Sequence, residues 1–574
     1  MKNKELAHIF YEIADYLEME EVAFKPFAYQ RAAITLEALE EDVEEIYKKG
    51  GIEALEKIPG VGKSIAVKIE EYLKTGKIQY YEKFKKQLPI NLEEIIAVEG
   101  MGPKRAKVLY QKLGIRNLKD LEKAAKAHEI ASLFGFGEKT EKNILEGIAF
   151  LKRSKGRFLL GEILPKAREI EERLKSSKEV EQISLAGSIR RRKETIGDID
   201  ILAVTKKPQK VMDIFTSFPG IIKIWGKGTT KSSIRLKEGF DVDLRVVAKK
   251  SYGSALQYFT GSKEHNIITR KIAIEKGLKL NEYGVFKGRK MIAGWSETGV
   301  YKAIDLPWIP PEIREDQGEI EAALEGKLPE IIDYNDLRGD LHCHSKWDGG
   351  ENSILEMAQK AQEIGYEYLG ISDHTKFLRI EQGLNEAQLA QQKKEINKLN
   401  ESFQKEGLRF RLLQGAETNI LKDGSIDIKD SALKQLDYAI AGVHSSFKIP
   451  QKQMTERIIK AMKNPNIDII SHPTGRLLKR RDEYQIDFEK ILRVAREFGV
   501  ILEINSWPER LDLNDQKIRM AKEAGVKMII NTDAHQKDQL RFIELGIAQA
   551  RRGWAEKEDV INTQPLKGLL NFFK

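Results

Sequence analysis

The sequence predicts a multidomain chain: a helical N-terminal region, an α+β centre and an α/β C-terminal half built as a barrel. Three observations carry this. Helical periodicity broken by glycine pairs runs through the first 150 residues, β-branched alternation fills 183–247, and after 340 a series of apolar runs closes on histidines or acids. A length of 574 residues also exceeds what one core accommodates. The formal net charge of +9 is uneven: residues 101–300 hold 42 Lys and Arg against 23 Asp and Glu, leaving a slightly acidic remainder. Such a block suits a polyanionic partner, with a solvated basic face as the bland alternative. The single cysteine, Cys343, rules out an internal disulfide framework and fits a reducing compartment. The opening MKNKELAHIFYEIADYL reads as a charged amphipathic helix rather than a signal peptide. No apolar run reaches the length of a bilayer, so the expected location is cytoplasmic and nucleoid-associated, with no membrane partner.

In the helical region, glycine pairs occur in IPGVGKS (58–64), EGMGPKRA (99–106) and FGFGEKT (134–140), each ahead of a helical run. A Gly-x-Gly turn before a helix lets the backbone bend tightly and aims free N–H groups at an anion, for which a DNA phosphate is the natural guest. Any one of these turns alone could be ordinary helix capping. The candidate DNA contacts are Gly60, Gly62, Lys63, Gly100, Gly102, Lys104, Gly135 and Gly137. GVGKS is not a P-loop, because the glycine that motif needs at 57 is Lys57. Over residues 50–150 these elements resemble the helix-hairpin-helix motifs of DNA repair proteins, which implies a sequence-independent grip on the backbone. The expected divisions are a lyase-like DNA-binding domain at 1–90 and a fingers-like one at 91–150.

The central sheet is read from LAGSIRRRKETIGDIDILAV (185–204) and FDVDLRVV (240–247). Strand alternation puts Asp198 and Asp200 on one face and Ile199 on the other. With the strand of Asp243 alongside, three carboxylates converge, and oxygen ligands so placed favour two Mg²⁺ (or Mn²⁺) that assist phosphoryl transfer. Asp243 is the candidate proton acceptor. Gly187 permits a tight strand-to-helix turn, and Ser188 with Arg191 is placed to hold a triphosphate. The alternative is a solvated loop of surface charges. This region resembles the nucleotidyltransferase palm of DNA polymerase beta and its family X relatives. The resemblance implies that Gly187 and Ser188 are the GS signature, Arg191 a triphosphate contact, Gly197 the glycine before the metal strand, and Asp198, Asp200 and Asp243 the metal triad. It extends to YFTGSKEHNIITRKIAIEKGLKLNEYGVF (258–286), where Tyr258 and Phe259 would flank the incoming sugar, Asn266 a base edge and Arg270 the template side, with Gly261 among the substrate-binding residues. The same resemblance aligns Lys68 with a lyase lysine, its pKa lowered by the crowding of Lys63 and Lys25, and places Lys25 and Tyr29 in a 5′-phosphate pocket. The expected domains are a palm at 151–247, a thumb-like nucleotide-selection domain at 248–315 and an acidic linker at 316–335.

Six of the nine histidines fall after that linker, at 342, 344, 374, 444, 472 and 535. They close DLHCH, YLGISDH, DYAIAGVH, DIISH and MIINTDAH, and the runs at 409–417 and 500–506 end comparably, giving seven candidate strands with polar C-terminal ends. In parallel α/β barrels that rim carries the site. Six histidines with Glu417, Asp533 and Asp348 point to metals, while Cys343, between His342 and His344, should face the core. Residues 336–574 resemble the polymerase and histidinol phosphatase (PHP) domain, a distorted seven-stranded barrel. The resemblance implies up to three Mn²⁺ or Zn²⁺: one on His342, His344, Glu417 and Asp533, a second on Glu417, His444 and His472, and a third on His374, His535 and an acid near 348. The family usually writes SDG after the first histidine pair. Here HSKWDGG puts Asp348 where the serine belongs and Gly349 where the ligand belongs, and Asp348 is expected to take over.

The expected function is a family X DNA polymerase filling short gaps in base excision repair, with a PHP domain trimming 3′ ends as a 3′-to-5′ exonuclease. Its expected partners are gapped or primed DNA with a 5′-phosphate and a dNTP, acting on a monomer. Two alternatives stand beside it: an end-processing nuclease or phosphatase with minor polymerase activity, and a DNA-binding scaffold with vestigial sites.

Overall fold

The computed structural model describes residues 2–573 apart from 23, 40, 59, 97, 99, 100, 155, 379 and 380, so Gly100 lies outside the described residues. The chain forms two compact units, Met1–Lys155 with Lys479–Arg481, and Gly156–Leu478 with Asp482–Lys574.

The first unit is helical: α1 (Lys2–Met19), α2 (Lys25–Ala38), α3 (Val43–Glu56), α4 (Lys63–Thr75), α5 (Gln79–Gln87), α6 (Leu92–Ile96), α7 (Pro103–Leu113), α8 (Leu118–Lys126) and α9 (Glu138–Ser154). Its core begins with Leu6, Phe10, Ile13 and Leu17, which the helical repeat puts on one face of α1. Side chains start two of these helices: Asp42 accepts from Glu44 N at 3.0 Å and Asn117 from Asp120 N at 2.9 Å. The glycine pairs start others. Gly62 caps α4, Gly102 caps α7, and Gly137 immediately precedes α9. Gly60 has φ +77°, a left-handed conformation a side chain resists, with Arg31 Cγ 3.0 Å from where its Cβ would be.

The second unit opens with a short antiparallel pair, β1 (Phe158–Leu159) and β3 (Thr195–Ile196), around a larger sheet. That sheet contains β2 (Gln182–Leu185), β4 (Asp198–Val204), β5 (Ile221–Lys227), β6 (Lys231–Leu236) and β7 (Asp241–Val246), ordered β2-β4-β7-β6-β5. The β4–β7 pair is parallel and in register, setting Asp198 opposite Asp241 and Asp200 opposite Asp243. One face of the sheet is sealed by α10 (Leu160–Lys175), through Ile163, Ala167 and Ile170, and by Phe215 from 208–216. Helices α11 (Gly187–Arg190), α12 (Pro208–Thr216), α13 (Tyr252–Thr260) and α14 (Lys263–Glu275) lead to an antiparallel sheet of β8 (Lys279–Asn281), β9 (Gly284–Lys287) and β10 (Lys290–Ala293).

Residues 316–335, expected as an open linker, are packed. Glu319 is fully buried and accepts from Asp316 N, Gln317 N and the His265 ring, while Ile332 N donates to Ala555 O. Glu312 and Glu315 nearby pair with Arg551 and Arg552. Of these acids, Glu312 and Glu315 precede the expected linker and answer arginines of the C-terminal region, whereas Glu319 within it answers His265 and backbone N–H groups. The compact units divide at 155/156.

The C-terminal region alternates helices with β11 (Gly339–Cys343), β12 (Tyr368–Ile371), β13 (Arg411–Gln414), β14 (Glu417–Asn419), β15 (Ile440–Gly442), β16 (Ile469–Ile470), β17 (Ile501–Asn505) and β18 (Met528–Asn531). Strands β11-β12-β13 and β14-β15-β16-β17-β18 form two parallel sheets, buried throughout most of their lengths, as apolar runs of this kind require. The single strand expected at 409–417 is broken at Gly415 and Ala416 into β13 and β14, making eight short strands among the described residues where seven were read. Bridges join the sheets at both seams: His374 to Glu417 and Cys343 to Ala534. Among the described residues no helix is long and apolar enough to cross a membrane.

Candidate active sites

In the palm-like sheet, alternation leaves Asp198 exposed, Ile199 buried and Asp200 half-buried, with Asp243 beside Asp200. Gly187 has φ +63°, and a Cβ there would collide with the Asp200 carboxylate, so the turn needs glycine for both conformation and clearance. Burial, then Asp198 and Asp243, raises the Asp200 carboxyl to about 7, and burial with Asp243 and Asp241 raises Asp198. Such mutual repulsion is what a cation relieves. Asp243 accepts from Ser233 Oγ at 2.5 Å and lies 2.6 Å from Lys231 Nζ, an ammonium already answering part of that charge. Oxygen donors, clustered and protonation-prone, fit hard divalent ions.

Ser188 follows Gly187 in α11, but Arg191 does not point free into the cleft. Its Nε donates to Glu315 Oε1 at 3.0 Å and its Nη1 to Thr260 O. Gly197 lies near Arg157, and Gly261 keeps close company with the Arg191 guanidinium, which is 3.0 Å from where its Cβ would be. Tyr258 and Phe259 form an edge-to-face pair at 5.1 Å, with Arg245 over the Phe259 ring. Asn266, expected against a base edge, is buried and spends Oδ1 on Gln257 and Nδ2 on Tyr258 O, each at 2.7 Å. Arg270 Nε donates to Asn266 O at 3.0 Å. Asn266 thereby ties α14 to α13, while the Arg270 bond lies within α14.

In the helical unit, Lys68 Nζ lies 3.0 Å from Ser64 O and Oγ and 5.1 Å above the Tyr80 ring. Its pKa is lowered chiefly by burial, opposed by Glu71 and aided last by Lys25. Burial rather than basic crowding is thus the leading cause, with Lys25 the lysine that adds to it. Tyr29 is buried against Phe10 and Tyr80, while Lys25 is exposed nearby on α2. Gly62, Lys63, Gly102 and Gly137 stand at helix starts with nothing over the glycines, and Gly135 is likewise clear. Lys104 pairs with Glu21 at 3.3 Å.

The C-terminal strand ends bring together every histidine the sequence selected. Four overlapping groups among the described residues have donor atoms within 4.8 Å of one another: His342, His344 and Asp533; His374, Glu417 and His444; His344, His374 and His535; and His344, Asp348 and Asp373. Glu417 is central, 2.8 Å from His374 Nδ1 and His472 Nε2, 3.2 Å from His444 Nε2 and 3.4 Å from His342 Nε2. His342 Nε2, His344 Nε2 and His374 Nδ1 are buried without a hydrogen-bond partner although carboxylates stand beside them. Nitrogens aimed with carboxylates at a shared space, without bonding each other, form a donor set that fits Mn²⁺ or Zn²⁺. Burial works against the Glu417 carboxylate, yet His444, His342 and His374 hold its pKa well below the usual range. Cys343 is buried with its thiol on Gly370 O, away from this set.

Asp348, expected as a third-metal ligand, groups with His344 and Asp373. Its Oδ2 accepts from His344 Nδ1 at 2.7 Å and His374 N at 2.8 Å, and its Oδ1 from Gly350 N at 2.9 Å. It stands behind the His344 ring and orients it. Glu503 does the same for His342 through Nδ1 at 2.6 Å, and Asn419 for His444 at 2.8 Å. Neither was selected from sequence, although a charge inside the apolar run VILEIN was the available signal for Glu503. A cleft of about 230 Å³ opens over the histidines, and Trp507, Arg510 and Glu381 also line it. Arg510 Nε is 3.5 Å from Asp533 Oδ2.

Comparison with known proteins gives four domain matches: a helix-hairpin-helix domain at residues 1–78, a SAM-like helix-hairpin-helix tandem at 92–149, a DNA polymerase beta thumb at 255–315 and a PHP domain at 340–507. A Bacillus subtilis protein named DNA polymerase/3′-5′ exonuclease PolX is 37% identical over 579 residues, covering 100% of both chains. A protein named probable phosphatase from Thermoanaerobacter is 33% identical over 162 residues, 26% of this chain and 64% of that one. Another of that name, from Caldanaerobacter subterraneus, is 31% identical over 207 residues, 34% of this chain and 75% of its own.

Proposed function

Because the chain belongs to the family X DNA polymerases that join helix-hairpin-helix and polymerase beta thumb domains to a C-terminal PHP domain, we propose that it both extends and trims DNA 3′ ends. Extension takes place at Asp198, Asp200 and Asp243 with dNTP as substrate, and 3′-to-5′ removal at the PHP cleft. The observation that carries this reading is that each centre gathers donors that lack a sufficient partner: three neighbouring carboxylates in one, unpaired buried ring nitrogens around Glu417 in the other.

In the palm, Asp198, Asp200 and Asp243 hold Mg²⁺ or Mn²⁺. His342, His344, His374, Glu417, His444, His472, Asp533 and His535 hold Mn²⁺ or Zn²⁺ in the PHP cleft. Divalent ions, when bound, activate the attacking oxygen and stabilise charge on the departing one. The protein does the rest. Asp243 takes the proton of a primer 3′-hydroxyl, Ser188 binds the triphosphate together with Arg191 once that guanidinium leaves Glu315, and Tyr258 with Phe259 walls the sugar. In the cleft, Arg510 faces the scissile phosphate and Trp507 offers a stacking surface for the terminal base. The helix starts at Gly62, Gly102 and Gly137 grip backbone phosphates, which makes binding independent of sequence and sensitive to salt. Lys25 and Lys68 suit a 5′-phosphate, hence short gaps in repair, and the lowered pKa of Lys68 suits Schiff-base attack on an abasic sugar.

Incubating the chain with a labelled primer on a gapped duplex, with Mg²⁺ or Mn²⁺, tests the proposal directly. Addition of dNTPs should lengthen the primer to the gap's end, and omission should shorten it from its 3′ terminus. A primer unchanged in both arms counts against it. A second reading, phosphatase action at the same cleft, draws on the probable phosphatases similar to this half. Release of phosphate from a 3′-phosphorylated primer without loss of a nucleotide would favour it.

A further inference from the structure

Three histidines, His344, His374 and His535, present donors within 4.8 Å of one another, and no carboxylate belongs to that group. Glu417 stands 2.8 Å from His374 Nδ1 and Asp533 3.8 Å from His535 Nδ1, but both carboxylates belong to the neighbouring groups, so an acid of its own is the missing element. Asp348 is turned to other partners, its Oδ2 to His344 Nδ1 and His374 N and its Oδ1 to Gly350 N, and it groups with His344 and Asp373 rather than with His374 and His535. Gly349, where the resembling family carries its ligand, has no side chain. Glu381 remains. It lines the same cleft as His374 and His535, and among the described residues no cation pairs with its carboxylate. Its position is informative: a Cβ built on Gly349 would fall on Glu381 Oε2, and the three atoms nearest that Cβ all belong to Glu381. The carboxylate thus enters from the turn after His374 into the space a residue at 349 would have filled.

We propose that Glu381 is the carboxylate ligand of the ion held by His374 and His535, standing in for the acid absent at 349. The inference rests on the metal-binding reading of the PHP cleft. It also accounts for two features together, since an acid at 349 and Glu381 compete for one volume and only one of them is accommodated. Gly349 does not adopt a left-handed conformation, so its backbone accepts a side chain once Glu381 is shortened.

The test counts metal rather than activity. Full-length protein, with Asp198 and Asp200 replaced by Ala so that palm ions do not contribute, is stripped with chelator, reloaded with MnCl₂, desalted and measured by plasma mass spectrometry. Glu381→Gln should retain one Mn²⁺ fewer per chain than this background, as should the reference variant His374→Ala. Adding Gly349→Asp to Glu381→Ala should return the lost ion, which a merely structural role for Glu381 would not allow. Loss in His374→Ala with full retention in Glu381→Gln overturns the assignment of Glu381. Full retention in both overturns the metal reading of this pair, and the proposal with it.

Discussion

Asp200 allows the charge strain of the palm to be measured. Its carboxyl sits at about 7 instead of 3.8, first through burial and then through Asp198 and Asp243. A pKa raised in the folded state means that between those two values the folded chain binds more protons than the unfolded one. Stability contributed by this group is therefore present at low pH and is lost as pH rises through about 7. The difference, 7 − 3.8, is about 3 units, or roughly 4 kcal/mol at about 1.4 kcal/mol per unit. Residual solvent access makes that a ceiling, and about 1–3 kcal/mol is the expected yield. Asp200→Asn removes the charge at nearly constant volume. In chelator at pH 8 the variant should melt a few degrees above the parent, and the gain should shrink towards zero below about pH 4. Saturating Mg²⁺ should narrow or reverse the order, since the ion binds and stabilises only the parent strongly. Scanning calorimetry of both proteins at the two pH values, with and without Mg²⁺, reads all of this. Melting of D200N at or below the parent at pH 8 in chelator would refute the reasoning.

Three further outcomes follow from the geometry. Replacing Asp198 and Asp200 with Ala should lower nucleotide incorporation by several orders of magnitude while 3′ trimming persists, and His344→Ala should do the opposite, as primer-extension and trimming gels will show. Lys68→Ala should abolish borohydride trapping of a 5′-abasic substrate, and persistent trapping would indicate another amine. Glu503→Gln should weaken Mn²⁺ binding at the C-terminal site by about 10–100-fold, because the His342 ring loses the carboxylate that orients it, and equilibrium dialysis at several Mn²⁺ concentrations measures the loss.

Local repeats exposed much of this protein in its sequence. Strand alternation put Asp198 and Asp200 on one face, and the parallel register with β7 supplied Asp243 as the second strand's contribution. Histidines at the ends of apolar runs met at one rim because parallel strands deliver their C-terminal ends to the same side. What sequence left hidden depends on convergence across chain distance. Glu503 lies 161 residues from His342, and only the fold reveals that one orients the other. Glu319, read as part of an acidic spacer, is buried because His265 and two backbone N–H groups satisfy it, and charge composition carries no sign of such partners. Asp348 shows a finer limit. Its sequence neighbours placed it beside the metal set, but which way its oxygens face was decided by Gly350 N and His374 N.

Arg191 shows how a residue assigned to substrate behaves before substrate is there. Its guanidinium is neutralised by Glu315 and capped by Thr260 O, and Arg552 of the C-terminal region donates both to Glu315 and to Arg191 O. The Glu315 carboxyl works against burial, yet Arg191, Arg552 and Lys193 together hold its pKa below the ordinary range. Withdrawal of Arg191 towards a triphosphate would therefore leave Glu315 paired with Arg552 and Lys193 rather than buried and alone. An unpaired buried carboxylate costs several kcal/mol, on the order of what a bidentate phosphate contact returns, so those two cations keep the exchange close to balanced. The same reasoning explains why the acids of 312–319 are folded into this region. Glu312 and Glu315 are counterions for Arg191, Arg551 and Arg552, and a solvated linker would leave those arginines without them, while Glu319 answers His265.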